Sequence, residues 1–354
     1  MAEKVLMKGN EAVAEAAIRS GCRHYFGYPI TPQTEVAAYM AKVMPKIGGV
    51  FLQAESEIAA INMVLGASSA GARAMTSSSS PGISLKCETI SYIAASDLPC
   101  VILNVQRGGP GLGGIQPSQA DYWQATKAPG HGDFHLIVLA PSSVQEMVDL
   151  CMDAFDLSDL YRIPALILAD GLLGQMMEPV VFKQRKKISL PEKKWATNGH
   201  NNKREHNIIN SLYLTPEILE KTVLERFKRY DIINEKEVRF EETNTNDAEI
   251  IVVAYGACVR IVNSAVKMAR EKGIKAGIIR PITLWPFPNK IIEKRAKTAK
   301  AFLTTEMSMG QMVDDVRLAV NGEKPVHFYG RTGGVIPTPI EILEQIEKII
   351  GGLR

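Results

Sequence analysis

Between residues 9 and about 170 the sequence alternates short apolar runs with longer stretches of helical spacing. Candidate strands fall at 50–52, 72–76, 100–105, 136–139 and 165–168, and helical patterns at 58–70, 83–95 and 144–157 lie between them. Strands separated by helices of this length form βαβ units, and therefore a parallel sheet covered on both faces. Ligands of such sheets bind at the carboxyl ends of the strands, in the loops that lead into the next helices.

Four consecutive loops of that kind hold the unusual residues. In Gly27-Tyr28-Pro29-Ile30-Thr31-Pro32-Gln33-Thr34, two prolines fix φ at about −65° and push the residue before each out of the α region. Thr31 is thereby held at a stiff bend with its hydroxyl displayed. As a plain helix start, Thr31 or Thr34 serves as N-cap with Pro32 in the first turn. As a ligand site, the same bend offers Thr31 to solvent. The other three loops are Gln53-Ala54-Glu55-Ser56-Glu57, Thr76-Ser77-Ser78-Ser79-Ser80-Pro81-Gly82 and Gln106-Arg107-Gly108-Gly109-Pro110-Gly111-Leu112-Gly113-Gly114.

A chain of 354 residues is too long for one ordinary core and implies two domains. With 46% hydrophobic and 22% charged residues the composition is that of a soluble globular protein, and a net charge of +3 is too small to imply nucleic acid. No apolar run reaches the roughly 20 residues of a membrane span. The start, Met1-Ala2-Glu3-Lys4, lacks the layout of a signal peptide, so a cytoplasmic location is expected. Cys22, Cys87, Cys100, Cys151 and Cys258 are too widely spaced for an iron–sulfur or zinc site, and no metal is expected on this chain.

The alternation breaks down over 179–247. Its first part is basic, with Lys183-Gln184-Arg185-Lys186-Lys187, Lys193-Lys194 and Lys203-Arg204. Thr215-Pro216-Glu217 then opens an amphipathic helix that reaches about Tyr230. This reads as a connector with one helix and a solvated basic face. A second α/β unit begins at Ala248, with strands at 250–254, 276–279, 301–304 and 326–329 and helices at 260–271, 311–319 and 339–349. Within it, Arg280-Pro281-Ile282-Thr283-Leu284-Trp285-Pro286-Phe287-Pro288 is a proline-stiffened loop suited to packing or to an interface.

Three motifs fail on their surroundings. The glycines at 109–114 follow a strand, but Pro110 and Pro117 intervene and no helix opens until about Ser118, whereas a dinucleotide site needs the helix N-terminus directly against the pyrophosphate. Asp170-Gly171 with Asn198 lacks the first glycine of a magnesium–diphosphate motif, that position being Ala169. Ser77 to Ser80 has no histidine placed by sequence to serve as base, and reads as a small-residue loop.

Tyr28-Pro29-Ile30-Thr31-Pro32, Glu55-Ser56-Glu57, Gln106-Arg107-Gly108-Gly109-Pro110 and Arg280-Pro281-Ile282-Thr283-Leu284-Trp285-Pro286 together resemble the alpha subunit of 2-oxoacid:ferredoxin oxidoreductases. The likeness runs nearly end to end and is weakest in the connector. The stretch from Arg107 to Gln119 resembles the branch that acts on 2-oxoisovalerate (3-methyl-2-oxobutanoate), the 2-oxoglutarate branch being the alternative. A non-catalytic assembly subunit of the same complex is a further one.

The resemblance implies a thiamine-diphosphate pyrimidine-binding domain at 1–178, the connector at 179–247 and a transketolase C-terminal-like domain at 248–354. It implies thiamine diphosphate shared with a beta subunit, with Mg2+ and a [4Fe-4S] cluster on partner subunits. Gamma and ferredoxin-like delta subunits, ferredoxin and coenzyme A complete the partners. Glu57, with Glu55 as rival, is the expected carboxylate at the pyrimidine nitrogen. Arg107 is the expected anchor of the substrate carboxylate, and Thr31 a donor to the substrate. Tyr28, Pro29, Ile30, Thr31 and Glu57 form the expected cofactor wall.

Overall fold

The computed structural model of the chain describes residues 4–183 and 188–352. Residues 184–187, most of the basic run at 183–187, lie outside the described residues.

The chain runs β1 (Val5–Lys8), α1 (Gly9–Arg19), β2 (His24–Gly27), α2 (Thr34–Val43), β3 (Val50–Gln53), α3 (Glu57–Ser69), β4 (Ala74–Ser78), α4 (Ser80–Ala95), β5 (Val101–Gln106), α5 (Tyr122–Thr126), β6 (Ile137–Leu139), α6 (Val144–Tyr161), β7 (Ala165–Asp170), α7 (Gly171–Gln175) and β8 (Met177–Val180). It continues through α8 (Pro216–Lys236), β9 (Phe240–Thr243), β10 (Ile250–Val253), α9 (Cys258–Glu271), β11 (Ala276–Pro281), β12 (Thr283–Trp285), α10 (Asn289–Ala296), β13 (Ala301–Glu306), α11 (Met312–Val320), β14 (Val326–Gly330) and α12 (Pro339–Gly352).

The first sheet has the order β12-β6-β7-β5-β4-β2-β3. It is parallel except at β12, which runs antiparallel to β6. Every residue of β4, β5 and β7 is buried, as the middle of a sheet clad with helices on both faces requires. On one of those helices the alanines Ala12, Ala14, Ala16 and Ala17 are fully buried; their small side chains let α1 lie close against α6. The start of α6 is fixed by Ser143, whose Oγ accepts from Glu146 N at 3.2 Å, while Glu146 reaches back to accept from Ser142 N at 2.8 Å.

The second sheet has the order β14-β13-β10-β11-β9 and is parallel except at the β9 edge. Its four parallel strands and the helices α9, α11 and α12 lie where the sequence pattern puts them. Several elements do not follow from it. The β1–β8 ribbon closes the two ends of the first unit, β9 lies inside the stretch read as a connector, α10 follows the proline-rich loop, and that loop itself contributes β12 to the first sheet. Trp285 on β12 stacks on His135 at 4.6 Å between ring centres, and Tyr230 of α8 meets both rings edge-on. The loop is thus an internal joint between the two sheets and α8.

The segment that follows β5 is stitched to the second sheet. Gln119 N donates to Met307 O at 2.8 Å, Gln119 Nε2 donates to Tyr255 O at 2.8 Å, and Met307 N donates to Gln119 Oε1 at 3.0 Å. Beside them the Tyr122 hydroxyl donates to Asp315 of α11. One apolar core continues across this seam, from Tyr25 and Leu103 to Tyr255 and Phe302.

Candidate active site

β5, β4, β2 and β3 are neighbours and parallel, so their carboxyl ends share one edge of the first sheet. The four loops singled out in the sequence all leave from that edge.

Arg107 immediately follows β5 and is 7% exposed. Its Nη1 donates to Thr31 O at 3.0 Å and its Nη2 to Leu112 O at 3.1 Å, while Nε is buried with no partner among the described residues. The guanidinium therefore ties the bend to the glycine loop and still holds N–H groups in reserve. Its backbone is fixed from below: Arg107 N donates to Ser80 Oγ at 3.0 Å, and Ser80 Oγ donates to Asp121 Oδ2 at 2.6 Å. Asn104 Nδ2 donates to the same carboxylate oxygen at 2.9 Å. Burial pushes the Asp121 carboxyl above the usual range, with the Ser80 and Asn104 donors partly opposing that rise.

Ser56 decides which glutamate enters the site. Its side chain accepts from Ala59 N at 3.1 Å, which makes it the N-cap of α3 and makes Glu57 the first helical residue. Glu57 turns inward and is 6% exposed, whereas Glu55, outside the cap, is exposed. Glu57 accepts no hydrogen bond from the described residues. It lies against Gly82 of α4: a Cβ on that glycine would sit 2.6 Å from Glu57 Oε1 and 2.1 Å from Ser78 Oγ. The first turn of α4 thus supports both residues, holding Arg107 through Ser80 and packing Glu57 against Gly82.

The bend differs in detail from a capped helix start. The helix α2 begins at Thr34 with Gln33 in the N-cap position and no side-chain cap, and Pro32 precedes the first turn. What holds the bend is its main chain, gripped from behind. Asn10 Nδ2 and Gln175 Nε2 donate to Pro32 O at 2.7 and 3.1 Å, and Gln33 Nε2 donates to Tyr28 O at 3.3 Å. Fully buried Gln33 accepts from Ser77 Oγ at 2.5 Å, and Ser77 also bonds Tyr25. Thr31, Tyr28 and Pro29 are exposed, and Ile30 is half-buried. A groove of about 710 Å3 on the outer side of the bend is lined by Thr31, Pro32, Glu35, Gln116, Leu172 and Ile336, and it touches neither Glu57 nor Arg107.

Thr31 and Arg107 are therefore in direct contact, and Glu57 is joined to them through α4. Sequence reasoning missed Gln33, Ser80 and Asp121. The serine tract was visible, but it is the end of β4 and the start of α4, not an open loop. Nothing local marks Asp121, which lies outside every motif.

The arrangement can seat part of thiamine diphosphate. Arg107 Nε is a buried donor lacking an acceptor among the described residues, a state that calls for a bound partner, and Glu57 adds a largely buried side chain whose carboxylate accepts no hydrogen bond from the described residues. Among the described residues no group of three or more His, Cys, Asp or Glu side chains is placed to share a metal ion, and no helix is long and apolar enough to cross a membrane.

The family model "Pyruvate flavodoxin/ferredoxin oxidoreductase, thiamine diP-bdg" matches residues 15–244, and "Pyruvate:ferredoxin oxidoreductase core domain II" matches 248–342. The chain is 48% identical over 346 residues to the ketoisovalerate oxidoreductase subunit VorB of Methanothermobacter marburgensis, covering 98% of both chains. It is 37% identical over 391 residues to the 2-oxoglutarate synthase subunit KorA of Methanothermobacter thermautotrophicus, covering 99% of this chain and 100% of the other. Among solved structures it superposes on the 2-oxoglutarate:ferredoxin oxidoreductase of Magnetococcus marinus with a TM-score of 0.90 at 28% identity, covering 99% of this chain and 66% of that one. The chain belongs to the thiamine-diphosphate-dependent 2-oxoacid:ferredoxin oxidoreductases.

Proposed function

We propose that the chain is the alpha subunit of a coenzyme A-acylating 2-oxoacid:ferredoxin oxidoreductase that converts 2-oxoisovalerate and coenzyme A to isobutyryl-CoA and carbon dioxide, with two electrons passed to ferredoxin. A beta subunit holding the diphosphate, Mg2+ and a [4Fe-4S] cluster, with gamma and ferredoxin-like delta subunits, completes the assembly in the cytoplasm. The same reading divides the chain at about 178 and 247.

When bound, thiamine diphosphate supplies a nucleophilic carbon and an electron sink for the decarboxylation. The roles of this chain follow from its own geometry. Glu57 meets the ring nitrogen of the aminopyrimidine and holds a proton there. Arg107 takes the substrate carboxylate on its spare N–H groups, since a guanidinium keeps its charge and forks onto two oxygens. The Thr31 hydroxyl, presented by the same bend that Arg107 grips, donates to the substrate carboxylate or carbonyl oxygen. A well-aimed donor of this kind contributes about 3–4 kcal/mol to the transition state.

The contact of Arg107 with Thr31 carries the substrate-binding part of this reading, because it brings two separately identified loop residues to one point. The choice of 2-oxoisovalerate is supported by the relative named for ketoisovalerate at 48% identity, against 37% for the one named for 2-oxoglutarate. Assaying the co-expressed complex with 2-oxoisovalerate, pyruvate and 2-oxoglutarate and a viologen acceptor tests it. The highest kcat/KM is expected with 2-oxoisovalerate, and a preference for 2-oxoglutarate would replace the substrate assignment.

A further inference from the structure

One charged side chain next to the site has no part in the roles above. Lys86, in the middle of α4, is 0% exposed, and among the described residues its Nζ donates one hydrogen bond, to Thr76 Oγ1 of β4 at 2.7 Å. Lysines are almost never this deep without a carboxylate partner, because an unpaired buried ammonium is costly. Thr76 is neutral and cannot serve as one. The acidic group whose charge acts on Lys86 is Glu57.

The helix geometry agrees. Lys86 lies four residues after Gly82, on the same face of α4. Helical side chains lean toward the N-terminus of their helix, so the lysine stem reaches back toward the turn where Gly82 packs against Glu57 Oε1. Burial pushes the Lys86 ammonium down to about 7, and the charge of Glu57 acts against that fall.

We propose that Lys86 is a positioning residue of the cofactor site: in its protonated form it sets a positive charge behind the Glu57 carboxylate and thereby keeps a proton shared with the cofactor on the ring nitrogen and off the carboxylate. A cation beside a carboxylate favours its ionised form. The only movement is that of one proton along one hydrogen bond. The inference rests on the reading of Glu57 as the carboxylate at the aminopyrimidine.

The test uses the co-expressed complex with Lys86→Met, Lys86→Arg and Glu57→Gln. Hydrogen–deuterium exchange at the thiazolium carbon of the bound cofactor, quenched and read by NMR, follows activation without turnover. Lys86→Met is expected to slow exchange by about tenfold or more, the equivalent of one pH unit in proton affinity. Lys86→Arg, which keeps the charge, recovers part of the rate. Wild-type exchange in Lys86→Met alongside slow exchange in Glu57→Gln would overturn the inference and leave the Glu57 reading standing, whereas wild-type exchange in Glu57→Gln would overturn that reading itself. Thermal unfolding of the full chain without cofactor gives an independent check. The Lys86→Met/Glu57→Gln double variant is expected to lose less stability than the sum of the single variants, and strict additivity would contradict the pairing. If Lys86→Met fails to assemble, rescue by Glu57→Gln supports the pair. Lys86→Gln then takes its place in the exchange measurement, where a wild-type rate overturns the proposal.

Discussion

Arg107 shows what a residue at this edge does and what it costs to change. Its two bonds to main-chain carbonyls fix the side chain, so its remaining N–H groups are already oriented for the substrate carboxylate that the proposed function assigns to them. Losing two charged hydrogen bonds to a carboxylate is worth about 3 kcal/mol, so Arg107→Met is expected to raise KM for the 2-oxoacid on the order of a hundredfold. Steady-state kinetics of the assembled complex check this, and an unchanged KM would remove Arg107 from the substrate site. Gly82 sets two opposing effects against each other. Alanine is the better helix former by about 1 kcal/mol, but its methyl would meet Ser78 Oγ and Glu57 Oε1 well inside contact distance, and overpacking costs about 1–3 kcal/mol. Gly82→Ala is therefore expected to lower the unfolding midpoint and displace Glu57, with activity falling more than stability; a midpoint above wild type would show that the glycine is not needed for the close approach. At this scale the sequence was informative where chemistry is local. Thr31, Glu57 and Arg107 stand out from their neighbours by residue type and by position after strands. Lys86 does not, because its significance lies in being buried, and no periodic signal in Ser77 to Lys86 shows which way that side chain faces.

Among the elements, β11 is held to the rest of the molecule by charge as well as by its ladder. Arg280 has almost no exposed side chain and pairs with Glu146 of α6, through two contacts, and with Glu241 of β9 at 2.8 Å. Burial pushes the Glu146 carboxyl up, but the hydrogen bond and charge of Arg280 and the donors of Ser142 outweigh it and hold the group below the usual carboxylate range. A carboxyl depressed in the folded state contributes stability that is present above its unfolded value, about 4.5, and is lost as pH falls through the folded value. Breaking a buried pair costs about 3–5 kcal/mol; partial exposure of both glutamates places Arg280→Met at or below the lower end of that range. The loss in urea midpoint relative to wild type is expected to be largest near pH 7 and to shrink toward pH 4. A loss that does not change with pH would mean that Arg280 acts through packing alone. Most of the parallel strands of both sheets were legible because buried parallel strands read as apolar runs, whereas the exposed, antiparallel β9 edge was not. Nor was the β12 strand, since Pro281 and Pro286 bracket only four residues and its pairing partner, β6, is more than a hundred residues earlier in the chain. The start of α2 was misread for a related reason: prolines suggest a capped helix, whereas the bend is held by Asn10, Gln33 and Gln175, two of them far away in sequence.

For the whole molecule, the seam between the sheets matters because the loop after Arg107 runs into it. Gln119 and Tyr122 tie that loop to Tyr255, Met307 and Asp315, so the second sheet helps fix the segment that begins at Arg107. The edge of the first sheet presents a carboxylate that accepts no hydrogen bond from the described residues, a guanidinium with N–H groups in reserve and an exposed bend, which in the proposed function make one wall of the cofactor site, with the other on the beta subunit. Glu57 is therefore the residue whose change is the most direct test. In the co-expressed complex, Glu57→Gln keeps the size of the side chain and removes its charge. With 2-oxoisovalerate, coenzyme A and a viologen acceptor, it is expected to assemble normally and to lose activity by about a hundredfold or more. Full activity in that variant would contradict the account.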